Sequence, residues 1–273
     1  MRTLGFALRL QSELEATADD VVKTSAIEGE VLDPSSVRSS IARRLGLPDA
    51  GVAPADRKIE GVVEMILDAT RKFDEPLTDE RLFAWHAGLF PTGYAGLRRV
   101  EIGTWRRDTE GPMQVVSGDY GKQRVHYEAP PAANVPREMA AFLVWFNHDG
   151  EDLDGLLRAA LAHLWFVTIH PLDDGNGRIA RAIADLAIAK TDRIGHRFYS
   201  MSSQIQRDRA AYYDSLEATQ KGDLDVTNWL EWFTQSYVHA IDAAEGSSST
   251  VIAKARFWQA HATGAPFSER EQK

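Results

Sequence analysis

The chain has 273 residues, 44% of them hydrophobic and 26% charged, with no cysteine and a formal net charge of -9. That length and balance can bury one substantial core or two modest ones; they exclude disulfides and argue against direct nucleic-acid binding over a broad face, which needs cations to neutralise phosphates. No charged n-region precedes an apolar stretch and no apolar run approaches the ~20 residues of a membrane helix, so a cytoplasmic protein without a membrane partner is expected.

Along the chain, Leu8, Leu10, Leu14, Val21, Val22 and Ile27 recur at helical spacing and predict one long helix. Gly29 reads as its C′ cap, which sets Glu28 at the negative end of the helix dipole, where a carboxylate costs a little stability. Helices are predicted over 37–45, 59–73 and 78–90, with a turn-rich joint at 48–54. The β-prone stretch from Gly103-Thr104-Trp105-Arg106 through Gly111 to Gly118, bracketed by Gly and Pro, reads as a hairpin and as the only sheet. After a joint at 130–136, helices are predicted over 136–146 and 153–169. The latter is apolar nearly all round and so belongs in the core, with Pro171 ending it. Ile179, Ala182, Ile183 and Leu186 open the next helix, and 205–218 and 227–244 continue the pattern. Residues 244–250 read as a linker before a further helix at 251–260. Trp229, Trp232, Phe233 and His163 are assigned to packing. The expected fold is mainly α, organised as an N-terminal helical region (1–75), a core domain (76–243), and a linker with a C-terminal helix (244–273).

The chemistry concentrates in His170-Pro171-Leu172-Asp173-Asp174-Gly175-Asn176-Gly177-Arg178-Ile179-Ala180-Arg181, a loop feeding a helix N-terminus. Free N–H groups, the positive end of a dipole and two glycines suit phosphate oxygens. Arg178 and Arg181 add fork-shaped donors for the outer phosphates of a nucleoside triphosphate, and Asp174 is a hard ligand for Mg²⁺. His170 titrates near neutrality and is the candidate base for an attacking hydroxyl. The carboxylate spacing does not fit an EF-hand, and no Gly-Lys-Ser/Thr follows as a Walker loop requires.

This twelve-residue string resembles the signature of the Fic family, His-Pro-Phe-x-Asp/Glu-Gly-Asn-Gly-Arg-x-x-Arg, with Leu172 where Phe is usual. Thr24-Ser25-Ala26-Ile27-Glu28-Gly29 is similar to the family's Ser/Thr-x-x-x-Glu-Gly/Asn inhibitory motif. The resemblance implies a Fic-type helical bundle with a β-hairpin flap, acting as a protein adenylyltransferase that moves AMP from ATP to a Ser, Thr or Tyr hydroxyl and releases pyrophosphate. His170 would be the catalytic base, and Asp174 would hold Mg²⁺. Gly175, Asn176 and Gly177 would cradle phosphates, with Arg178, Ile179, Ala180 and Arg181 completing the nucleotide loop. Val115, Val116, Ser117 and Gly118 would form the flap that docks a target protein by strand addition. Tyr212, Tyr213 and Gln220, in a segment similar to the family's adenine wall, would contact base and ribose. Glu28 would pair with Arg181 and inhibit transfer in cis.

Two other readings share these residues: AMP removal or a bifunctional enzyme at the same site, and a nucleotide-sensing protein without transfer. Assembly into a homo-oligomer is left open. The run Lys254-Ala255-Arg256-Phe257-Trp258 and then Phe267-Ser268-Glu269-Arg270-Glu271 resembles stretches that lead into a winged-helix module in relatives, so the chain reads as shortened at its C-terminus.

Overall fold

The computed structural model describes residues 6–47, 56–109, 111–118, 123–148 and 152–261, with 6–8 and 247–261 by backbone alone. The joint expected at 48–54, the side chain of Leu8 and the stretch 267–271 lie outside what is described. The chain is mainly helical, as expected. Four helices come first: α1 (Phe6–Ile27), α2 (Pro34–Leu45), α3 (Arg57–Arg71) and α4 (Asp79–Leu89). Two antiparallel ladders follow, β1 (Tyr94–Ala95) with β2 (Arg98–Arg99) and β3 (Gln114–Ser117) with β4 (Arg124–Glu128). Then come α5 (Val135–Asn147), α6 (Gly155–Ile169), α7 (Asn176–Asp192), α8 (Met201–Arg207), α9 (Arg209–Gln220) and α10 (Thr227–His261).

Helix starts follow capping chemistry. Asp33 accepts the Ser36 N–H at 2.9 Å with Pro34 in the first turn, and Thr78 and Asp154 cap α4 and α6 in the same way. The C-terminus of α1 closes in a Schellman motif. Gly29 takes φ 81°, its N–H donates to the Ala26 carbonyl at 3.0 Å, and the Glu30 N–H donates to the Ser25 carbonyl at 3.0 Å. The backbone of Glu28 and Glu30 is therefore fixed by the helix end itself.

At the centre lies α7, buried from Arg178 to Ala189 and packed against α6. One hydrophobic cluster joins Leu14, Val21 and Ile27 of α1 to Ile179, Ile183 and Leu186 of α7. A buried polar cluster ties the same two helices together. Arg197 bonds Asp185 of α7 at 2.8 Å and Asp20 of α1 at 3.3 Å, while Asp20 also accepts the Ser200 hydroxyl at 2.6 Å and the Ser202 N–H at 3.1 Å. Burial and the neighbouring Asp20 push the Asp185 carboxyl up to about 7 against the pull of Arg197.

Four expectations are corrected. The hairpin is not the only sheet, because Gly96 at φ 60° turns β1 back on β2. Its second strand is β4, downstream of Gly118, while Gly103–Arg106 forms no strand. The helix expected over 205–218 is two helices that part at Asp208, whose carboxylate turns back to accept from the Gln204 side chain at 2.6 Å. Residues 244–250 are helical within α10 and not a linker: no Pro interrupts them, and Gly246 costs the helix only about 1 kcal/mol. Trp229 and Phe233 are buried as assigned, with Trp232 packed on the same cluster.

Candidate active site

His170 is the C-cap of α6, held at φ 51° with its N–H on the Phe166 carbonyl at 3.0 Å. A non-glycine residue in this left-handed region is strained unless its surroundings fix it. Here they do. Arg106, itself 2% exposed, donates Nε to the His170 carbonyl at 2.7 Å and its backbone N–H to the Pro171 carbonyl at 2.9 Å. The His170 Nδ1 lies 3.2 Å from the Val167 carbonyl. A carbonyl can only accept, so Nδ1 carries the proton and Nε2 of the neutral ring carries the lone pair. Burial lowers the His170 pKa, with the Val167 bond opposing, so the ring is a neutral acceptor at pH 7.

The loop is locked from inside. Asn176, 2% exposed, accepts the Leu172 N–H at 3.0 Å and donates to the Leu172 carbonyl at 2.8 Å. Its side chain ties the turn that carries His170 to the start of α7 and leaves only its backbone N–H to face an anion. Leu172 is fully buried beneath the loop. Gly175 is the N-cap of α7 at φ 79°, with no side-chain cap bond. The first-turn N–H groups are thus left to an anion.

Glu28 stands at that mouth. Its Oε1 accepts from Arg181 Nη2 at 2.7 Å, and a Cβ on Gly177 would lie 2.4 Å from the same oxygen. The missing side chain at Gly177 lets the Glu28 carboxylate pack this close, and a Cβ there would displace the tip of the Glu28 side chain. Arg181, 3% exposed, also donates Nε to the Thr24 hydroxyl at 2.8 Å and Nη2 to the Thr24 carbonyl at 2.9 Å. Burial works against the Arg181 charge, yet Glu28 holds its pKa above the ordinary value. Arg178, 2% exposed, lies over the Phe90 ring at 5.1 Å and pairs with Glu30 at 2.8 Å. Arg178 Nε and Arg181 Nη1 are buried with no hydrogen-bond partner among the described residues.

The other expected positions divide. Ile179 and Ala180 are fully buried, so their side chains belong to the core and not to a nucleotide. Tyr212 is likewise a core residue at 1% exposure, its hydroxyl 2.9 Å from His163 Nε2. Tyr213 reaches the Ile27 carbonyl at 3.4 Å, and Gln220 donates to the Thr168 hydroxyl at 3.2 Å, two residues before His170. Val115, Val116 and Ser117 lie on β3 with a bulge between the two valines, and Gly118 follows at φ 98°. The ladder has two strands, so each leaves an outer edge unpaired within it. β4 is fastened down: Tyr127 donates to the Thr168 carbonyl at 2.9 Å, and Glu217 of α9 bonds Arg124 and His126 at 2.8 and 2.5 Å.

Asp174 accepts the Gly175 N–H at 2.6 Å and pairs with Arg98 at 2.8 Å. Among the described residues no group of three or more His, Cys, Asp or Glu is gathered for a metal. Mg²⁺ does not need one, since one or two carboxylates and substrate phosphates suffice, and the half-exposed Asp174 fits that donor set once it shares or releases Arg98. Thr24, Glu30, Arg98 and Arg106 were not assigned roles from sequence. Only Thr24 left a signal there, four residues before Glu28 and hence on its helix face.

The Fic/DOC family matches residues 76–188, and a domain of unknown function (DUF4172) matches residues 1–47. Among curated proteins, the chain is 25% identical over 239 residues to "Protein adenylyltransferase Fic" of Nematostella vectensis, covering 86% of this chain and 50% of the relative. It is 26% identical over 233 residues to "Protein adenylyltransferase fic-1" of Caenorhabditis briggsae, covering 83% and 42%. The chain thus spans half or less of the length of these relatives. Among solved structures, a Fic family protein from Desulfovibrio desulfuricans G20 superposes with TM-score 0.64 at 22% identity, covering 90% of this chain and 68% of that one. Fic-1 from C. elegans does so at 0.62 and 21%, covering 91% and 68%. These likenesses are of fold. No helix among the described residues is long and apolar enough to cross a membrane.

Proposed function

From a chain that carries a Fic/DOC family domain, we propose a protein adenylyltransferase that moves AMP from ATP to a hydroxyl of another protein and is held inactive by Glu28. The observation that carries this reading is the proton placement on His170 beside an uncapped helix N-terminus. The substrate hydroxyl oxygen attacks the α-phosphorus, its proton passes to His170 Nε2, and the bond to pyrophosphate breaks. Amide groups of Gly175, Asn176 and Gly177 offset charge at the phosphates, and Arg178 and Arg181 hold the outer ones. Mg²⁺ bound at Asp174 would neutralise phosphate charge. The edge of the hairpin would dock the target segment and bring its hydroxyl to the base.

Self-labelling with α-phosphate-labelled ATP and Mg²⁺ tests the reading in wild type, Glu28→Gly, and Glu28→Gly with His170→Ala. Label in Glu28→Gly alone is expected. No label in any of them, nor in any protein of a cell lysate incubated with Glu28→Gly, with ATP binding retained, would overturn transfer; AMP release from a modified protein by wild type would assign removal instead.

A further inference from the structure

We propose that Glu30 is a second acidic plug of the nucleotide site, occupying Arg178 as Glu28 occupies Arg181, so that ATP binds fully only when both carboxylates leave. The inference rests on the proposed nucleotide reading of the loop and concerns its regulation.

Three observations carry it. First, the Schellman turn that ends α1 delivers Glu28 and Glu30, two apart around Gly29, to two arginines three apart on the first turns of α7. Second, the pairing with Arg178 is as close as that with Arg181, 2.8 against 2.7 Å, and Glu30 is the less exposed acid, with side-chain exposures of 22% and 28%. Third, Glu30 is held from its far side: its Oε1 lies 2.8 Å from Lys58 Nζ on α3, while its Oε2 takes Arg178. Glu28 pairs with no second cation of this kind among the described residues.

Arg178 is 2% exposed and its Nε is without a partner, so its guanidinium meets the Glu30 carboxylate while one donor stays unused. A terminal phosphate offers three oxygens and more charge than a carboxylate. Exchange of Glu30 for phosphate is therefore chemically sensible once the turn opens. Loss of Glu28 alone leaves Arg178 engaged, and the brake is then only half removed.

Calorimetric ATP affinity separates the outcomes, in Glu28→Gly and in Glu28→Gly carrying Glu30→Gln or Glu30→Ala, with thermal melting to confirm folding. The proposal expects either double variant to bind ATP about fivefold or more tightly than Glu28→Gly, the scale of a coupling between two sites. Equal affinity would overturn it. Weaker affinity in folded double variants would also overturn it and make Glu30 a positioning residue for Arg178. Failure of every variant to bind ATP would remove the nucleotide reading together with this one.

Discussion

Glu28 Oε1 and Arg181 Nη2 meet at 2.7 Å, one end of the pair 28% exposed and the other 2%. Such an asymmetric pair is held by a rigid partner and closed by a mobile one: Arg181 is pinned by Thr24, while Glu28 is free to swing on its own side chain. Its loss should therefore cost less than that of a wholly buried pair. Glu28→Gly is expected to lower stability by about 1–2 kcal/mol, less than the 3–5 kcal/mol of a fully buried break. ATP with Mg²⁺ should then raise its melting temperature more than that of wild type. Thermal melting with and without ATP checks both.

Thr24→Val keeps the volume and removes the hydroxyl that accepts Arg181 Nε. A buried polar donor left unmatched costs about 1–3 kcal/mol, and a charged one such as this at least the upper part of that range. Urea unfolding should show that loss, and ATP affinity should fall in the Glu28→Gly background because Arg181 is no longer aimed.

Asn176→Ala removes both bonds to the Leu172 backbone. The variant is expected to lose about 2 kcal/mol or more in urea unfolding, since two buried backbone groups lose partners. Its labelling rate in the Glu28→Gly background should fall further than its ATP affinity, because the damage lies in the placement of His170.

His163 is fully buried and burial pushes its pKa down to about 3. The unfolded chain takes up that proton near pH 6.5 and the folded chain does not, so the histidine contributes stability above pH 6.5 that is lost as pH falls toward 3. Its share is up to about 1.4 kcal/mol per pH unit. His86, lowered to about 4, adds a second share of the same sign. Urea unfolding at pH 7.5 and 5.5 should show a clear loss for wild type and a smaller one for His163→Gln.

Helix periods made the bundle legible: Leu14, Val21 and Ile27 read as a buried face and are one. The loop was legible as well, because glycines, arginines and a histidine at a helix start are chemically unusual together. What sequence hid was pairing at a distance. Arg98 meets Asp174 across 76 positions, and Glu30 meets Arg178 across 148, with no local spacing to announce either. Side-chain direction was hidden too. Asn176 and Tyr212 carry groups that suit a ligand, yet both spend them inward, on Leu172 and His163. Residues 244–250 misled for a different reason, since serine and glycine suggest flexibility where the flanking helix simply continues.

The Asp20 cluster gives the N-terminal helix a status that its separate family match does not suggest. Arg197 and Asp185 lie within the interior and Arg197 reaches from Asp185 to Asp20, while Ser200 and Ser202 spend bonds on the same Asp20 carboxylate. Cutting the chain ahead of Pro34 would remove Leu14, Val21 and Ile27 from the core and leave the Ser200 hydroxyl and the Ser202 N–H without the carboxylate they donate to, with Arg197 held by Asp185 alone. The segment proposed as inhibitory is thus a keystone of the fold, and the variants that test the proposal are best made by editing the last turn of α1 while leaving its shaft in place.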